Sequence, residues 1–148
     1  MSYRNMLIAV DSTDEADEVM TAATNLATEG CTLSSVTVVK PLARVYGGLD
    51  MTTMADTSVA FEREAMDQAT KTLTALSERY GIGADNVHVR LGNPAQEVRE
   101  LAEELGCDII VLGTHGRHGL GLVLGSTANS VLHGVTCDVL AVRIHPTP

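Results

Sequence analysis

Short apolar runs alternate with longer stretches in which apolar residues recur every three or four positions. Met6-Leu7-Ile8-Ala9-Val10 is a continuous apolar run ending at Asp11-Ser12, the pattern of a buried strand leading into helix-capping residues. Ala16, Val19, Met20, Ala23, Leu26 and Ala27 then fall on one helical stripe that Gly30 closes. Asp14 and Glu15 are expected in its first turn, where the helix dipole favours acids. Val36-Thr37-Val38-Val39 predicts a second strand. Ala65, Ala69, Leu73, Leu76 and Tyr80 predict a long helix over 61–80, stopped by Gly81. Val87-His88-Val89-Arg90-Leu91 alternates, so this strand is expected at an edge with one face partly wet. A helix over 95–105, with Val98, Leu101, Ala102 and Leu105 inward, closes at Gly106. A fourth strand over 108–112, a short helix over 126–133 and a fifth strand over 138–142 complete the pattern.

Strand and helix alternating in this way predict an α/β fold, a parallel sheet with helices on both faces, in one domain over 1–148. Two segments interrupt the pattern. Residues 41–60 lack periodicity and contain Gly47-Gly48, Met51 and Met54, which predicts a long loop of the kind that serves as a lid. Residues 113–126, directly after the fourth strand, hold five of the thirteen glycines.

Composition narrows the function classes. The net charge is −9, so a surface this acidic repels phosphate backbones and nucleic acid is not an expected partner. No apolar run is long enough to span a bilayer, and the first residues lack the pattern of a signal peptide, so no membrane association is expected. Cys31, Cys107 and Cys137 are odd in number and widely spaced, as in reduced thiols of a cytoplasmic protein. Each stands at the entry to a predicted strand, a common place for a small buried residue.

The glycine segment carries the candidate chemistry. Ligands of open parallel sheets bind beyond the carboxyl ends of the strands, where strand order reverses. Glycines there let backbone N–H groups approach a ligand, and a following helix N-terminus suits phosphate. Gly125-Ser126 opens such a helix. The segment has no lysine, which excludes a P-loop, and G-x-G-x-x-G is absent. Arg117 is the segment's fixed positive charge and is either a phosphate clamp or a solvated side chain. His115 is either a phosphate donor or a plain loop residue. His115-x-x-His118 lacks a third ligand, so no metal site is expected there.

Gly113-Thr114-His115-Gly116 through Gly125-Ser126, the run Cys137-Asp138-Val139-Leu140-Ala141-Val142 and the opening Ile8-Ala9-Val10-Asp11-Ser12 together resemble the universal stress protein family over essentially the whole chain. The family's nucleotide-binding signature is G-x2-G-x9-G-[ST]. Here residues 117–124 separate Gly116 from Gly125, one residue fewer. The resemblance implies five parallel strands in the order 3-2-1-4-5. It also implies that Ala9, Val10 and Asp11 line an adenosine pocket, with the acid near the ribose or a phosphate-bound Mg2+, and that Val38 contacts adenine. Leu112 and Gly113 would lie beside the ribose, and Gly116, Gly125, Ser126 and Thr127 would cradle phosphate.

The function this implies is binding of ATP or AMP by a regulatory, stress-response protein that acts through protein partners. The alternatives are a slow ATPase or phosphotransferase, and a dimeric interaction module that has lost the nucleotide. No catalytic residue is assigned, because no lysine or pair of metal-binding carboxylates stands near the glycines. The resemblance further implies a homodimer through the fifth strand, an edge in that order, where residues 138–144 read as long and apolar.

Overall fold

The computed structural model describes residues 2–11, 15–41, 51–114 and 126–145, and for 51–58 the backbone alone. Five strands, β1 (Asn5–Ala9), β2 (Thr32–Val39), β3 (Val87–Leu91), β4 (Ile109–Gly113) and β5 (Asp138–Val142), form one parallel sheet in the order β3-β2-β1-β4-β5. Four helices cover it: α1 (Ala16–Leu26), α2 (Met51–Arg79), α3 (Pro94–Leu105) and α4 (Ser126–Leu132). The α/β class and the strand order agree with the sequence reading, and the alternating strand β3 is an edge.

Alternation along each strand sorts the core into two layers. Met6, Ile8, Ile109 and Val111 face α1 and α2, where they meet Val19, Met20, Leu73 and Leu76. Leu7, Val36, Ile110 and Leu112 face α3 and α4, where they meet Val98, Leu101, Ala128 and Val131. The central strand β1 therefore buries Met6, Leu7 and Ile8 completely, as a strand covered on both sides must.

Helix α3 shows how local chemistry sets the boundaries. Asn93 caps its start by accepting from the Gln96 N–H at 3.1 Å, and Pro94 occupies the first turn, where its missing N–H costs nothing. Gly106 ends it in the left-handed region at φ 66°, and the Cys107 N–H donates to the Ala102 carbonyl at 2.9 Å.

Three expectations are corrected. Strand β2 begins at Thr32, four residues before the predicted start at Val36, because two serines conceal it in the sequence. Ser34 and Ser35 are buried, and the Ser35 hydroxyl is satisfied by that of Ser77 on α2 at 2.8 Å. Residues 51–60, expected as loop, belong to α2, which contains no Gly or Pro. Val59 and Phe61 are 57% and 53% exposed, so the apolar residues there mark no buried stripe. Residues 42–50 of the expected loop lie outside the described residues.

Glu15, expected in the first turn of α1, is the N-cap, since the first helical residue is Ala16, and Asp14 lies outside the described residues. The first turn carries Asp17 and Glu18. Both acids tie elements together. Asp17 accepts from the Tyr80 hydroxyl at 2.7 Å and pairs with Arg79 at 3.4 Å, and Glu18 accepts from the His145 backbone N–H at 3.1 Å.

Candidate functional site

The reversal of strand order falls between β1 and β4, so their carboxyl ends stand side by side with Ala9 opposite Leu112. The chain leaves β1 through Val10, whose N–H donates to the Val36 carbonyl of β2 at 3.0 Å, and reaches the exposed Asp11. It leaves β4 through Gly113 and Thr114, whose N–H donates to the Val142 carbonyl of β5 at 2.8 Å. Asp11 and Gly113 thus emerge from neighbouring strands at one end of the sheet.

The predicted residues divide between the two faces. Ala9, Val38 and Leu112 pack on the α3–α4 side, and Val10 packs on the α1–α2 side. Leu112 is only 4% exposed, so its side chain is core, whereas Ala9 and Val38 are half-buried and present partial apolar surface. Asp11 lines a cavity of about 260 Å3 between the sheet and α2, together with Thr37, Thr72, Leu76 and Arg79. Ser126 and Thr127 are exposed at the start of α4, which is anchored on α3 through buried Ala128 and Val131. Four predicted residues, His115, Gly116, Arg117 and Gly125, lie outside the described residues.

Gly113 has a packing role that its motif does not announce. A Cβ there would come within 3.2 Å of the Ile144 side chain and 3.4 Å of Val19. Ile144, only 3% exposed, tucks beneath this exit, and its N–H donates to the Thr114 hydroxyl at 3.3 Å. This shortens the expected apolar edge: β5 ends at Val142, and Ile144 belongs to the core beneath α1.

Sequence reasoning missed Thr37, Thr72 and Arg79 beside Asp11. Thr37 alternates with Val36 and Val38 and so had to face α2 once β2 was placed. Thr72 and Arg79 lie more than sixty residues from Asp11 in the chain, and no local pattern links them. At the opposite end of the sheet, Cys107 and Cys137 stand before β4 and β5 and pack on the same core layer, as their equivalent positions suggested. All three cysteines are free thiols. Among the described residues, no group of three or more His, Cys, Asp or Glu gathers to hold a metal, and no helix is long and apolar enough to cross a membrane.

Comparison with known proteins agrees with the fold. The family model described as "Universal stress protein family" matches residues 2–143. The chain is 38% identical over 143 residues to universal stress protein A homolog 1 of Coxiella burnetii, covering 96% of this chain and 97% of that protein. Among solved structures, universal stress protein UspA from Lactobacillus plantarum superposes with a TM-score of 0.77 at 23% identity, over 97% of this chain and 99% of that one. A universal stress protein in complex with cAMP superposes with a TM-score of 0.57 at 24% identity, over 96% and 98%. These two likenesses concern the fold.

Proposed function

The chain belongs to the universal stress protein family, and from that premise we propose that it binds an adenine nucleotide, ATP or AMP, at the carboxyl ends of β1 and β4. The observation that carries this reading is the side-by-side exit of Asp11 and Gly113-Thr114 at the reversal point, with the glycine segment running on to Ser126 at the start of α4. A related protein of the same fold is described in complex with cAMP, which supports an adenine ligand.

In this reading the half-buried Ala9 and Val38 contact the base, and Asp11 faces the ribose. Backbone amides of Gly113, Gly116 and Gly125, with the hydroxyls of Ser126 and Thr127, meet the phosphates, and His115 and Arg117 approach them from the loop. With ATP, Mg2+ would draw most of its ligands from phosphate and water, with Asp11 available as a carboxylate ligand. The protein works as a regulatory, stress-response module in the cytoplasm, as one domain over 1–148. It acts through protein partners and as a homodimer paired along β5, the sheet edge. With no lysine near the glycines, any hydrolysis is slow.

Titration calorimetry with ATP, AMP and cAMP tests the reading, alongside mass spectrometry of small molecules released from the purified protein. Saturable binding of at least one of them, abolished in Gly125→Val and weakened about tenfold in Asp11→Ala, is the expected result. Equal affinity in Gly125→Val would reject the glycine cradle.

A further inference from the structure

Past the end of β5 the chain runs on through Arg143 and Ile144 to His145, and this tail touches both sides of the sheet's carboxyl end. On one side is the β4 exit. The Thr114 N–H donates to the Val142 carbonyl at 2.8 Å, and the Thr114 hydroxyl accepts from the Ile144 N–H at 3.3 Å. Thr114 therefore grips both the end of β5 and the tail beyond it. On the other side is α1, which starts at Ala16, shortly after Asp11. Glu18 in its first turn accepts from the His145 N–H at 3.1 Å, and the same carboxylate oxygen lies 3.3 Å from His145 Nδ1.

The Ile144 side chain is wedged between these two anchors. It lies in the core layer of Ala16 and Val19, against which Val10 also packs. A methyl group on Gly113 would meet Ile144 at 3.2 Å and Val19 at 3.4 Å, so β4, the tail and α1 converge on one point. Gly113 is not among the glycines with positive φ, so the tail, and not the backbone, restricts a side chain there. The register between β1 and β4 ends at Ala9 and Leu112. Beyond that pair each exit is held by its outer neighbour, Val10 by Val36 of β2 and Thr114 by Val142 of β5. The tail links the two exits through α1.

We propose that residues 142–145 form a clasp that fixes the spacing between the Asp11 and Gly113 exits, with Thr114 and Glu18 as positioning residues for the nucleotide, an inference that rests on the nucleotide-binding reading of the same site. A ligand that spans both exits binds more tightly when they are held before it arrives, because ordering a loose segment on binding subtracts from affinity. The coupling is reciprocal. A nucleotide that needs the clasp closed stabilises the closed clasp in return, so its arrival should be felt at Ile144 and His145, which lie outside the glycine segment.

Titration calorimetry with whichever of ATP, AMP and cAMP the wild type binds most tightly tests the clasp. Thr114→Val keeps the side chain's shape and removes the acceptor, and affinity should fall about five- to tenfold. Thr114→Ser keeps the hydroxyl and should bind as the wild type does. Glu18→Ala should weaken binding several-fold, whereas Glu18→Gln, which retains an acceptor for the His145 N–H, should not. Asp108→Ala, which costs stability at the amino end, serves as the control and should leave affinity unchanged, so that lost stability alone does not account for the effect. Hydrogen exchange supplies a second readout: saturating nucleotide should slow the Ile144 and His145 amides. If circular dichroism shows Thr114→Val unfolded, the partly exposed Glu18 pair and the exchange rates decide. Wild-type affinity in folded Thr114→Val or in Glu18→Ala, an equal loss in Thr114→Ser, or unchanged exchange at Ile144 and His145 would overturn the clasp and leave the nucleotide reading standing. A wild type that binds none of the three nucleotides would overturn both.

Discussion

The two ends of this sheet are built on different principles. At the amino end, side chains close the backbone: Asp108 accepts from the N–H groups of Arg4 and Asn5 at 2.9 and 3.1 Å, the Asn5 amide donates to the Leu105 carbonyl, and the Tyr3 hydroxyl donates to Asp138 at 2.8 Å. At the carboxyl end, among the described residues, a short C-terminal segment supplies backbone ties: the Thr114 N–H donates to the Val142 carbonyl, and the Ile144 N–H donates to the Thr114 hydroxyl. Asp11, Ser126 and Thr127 there are exposed. A parallel sheet points all its strand exits one way, so an end left with exposed polar groups can receive a ligand while the other end is committed to stability.

Breaking the carboxyl-end anchor should have the largest effect. Ile144→Ala removes a buried side chain packed against Gly113 and should cost about 2–4 kcal/mol, read as a lower urea midpoint. A loss below about 0.5 kcal/mol would mean that the exit is held by the hydrogen bonds alone.

Breaking the amino-end clamp comes next. Asp108→Ala strands two backbone N–H groups and should cost about 1–3 kcal/mol while leaving nucleotide affinity unchanged. The backbone N–H of Arg4, and then that of Asn5, hold the Asp108 carboxyl below its ordinary value. The unfolded chain therefore takes up its proton first as pH falls. The clamp's contribution is complete above the ordinary carboxylate range and disappears as pH drops through the lowered folded value. Acid titration of the wild type against Asp108→Asn reads this difference.

His88 gives a smaller, separate signature on β3. Its Nε2 is buried without a hydrogen-bond partner among the described residues, and burial, reinforced by Arg90, lowers its pKa. The folded state thus favours the neutral ring. Stability is full above the unfolded value near 6.5 and is lost as pH falls from there through the lowered folded value. His88→Leu should flatten that limb of the stability profile, and an unchanged slope would remove His88 as its source.

The smallest effect on folding is expected at the β5 edge. Ala141→Pro deletes one ladder N–H on an edge strand and should shift a dimer to monomer in light scattering. A monomeric wild type at micromolar concentration would instead mean that this edge is covered within the chain.

What the sequence could disclose follows from where its information is local. The run Met6–Val10 announces a strand because a strand buried on both faces must be apolar throughout, and Val139–Val142 announces one as a short run of apolar residues bounded by Asp138. Gly106 and Asn93-Pro94 mark the ends of α3 through backbone chemistry that needs no tertiary partner. The strand order came from family resemblance. The first half of β2 was illegible because Ser34 and Ser35 read as surface, and their burial depends on Ser77 of α2. The start of α2 was illegible because exposed apolar residues such as Val59 and Phe61 mark no buried stripe. At the site, Asp11 and Gly113 were legible as motif residues, but the division of Ala9, Val38 and Leu112 from Asp11 across two faces follows from strand phase. The company of Thr37, Thr72 and Arg79 follows from packing alone.

Hydrogen exchange with and without saturating ATP tests the division of labour between the two ends most directly. Amides at 9–11, 112–114 and 126–128 should slow markedly with nucleotide, while those of Arg4, Asn5, Cys107 and Asp138 keep their rates. Protection confined to the amino end, or no change at either end despite saturable binding, would contradict the account.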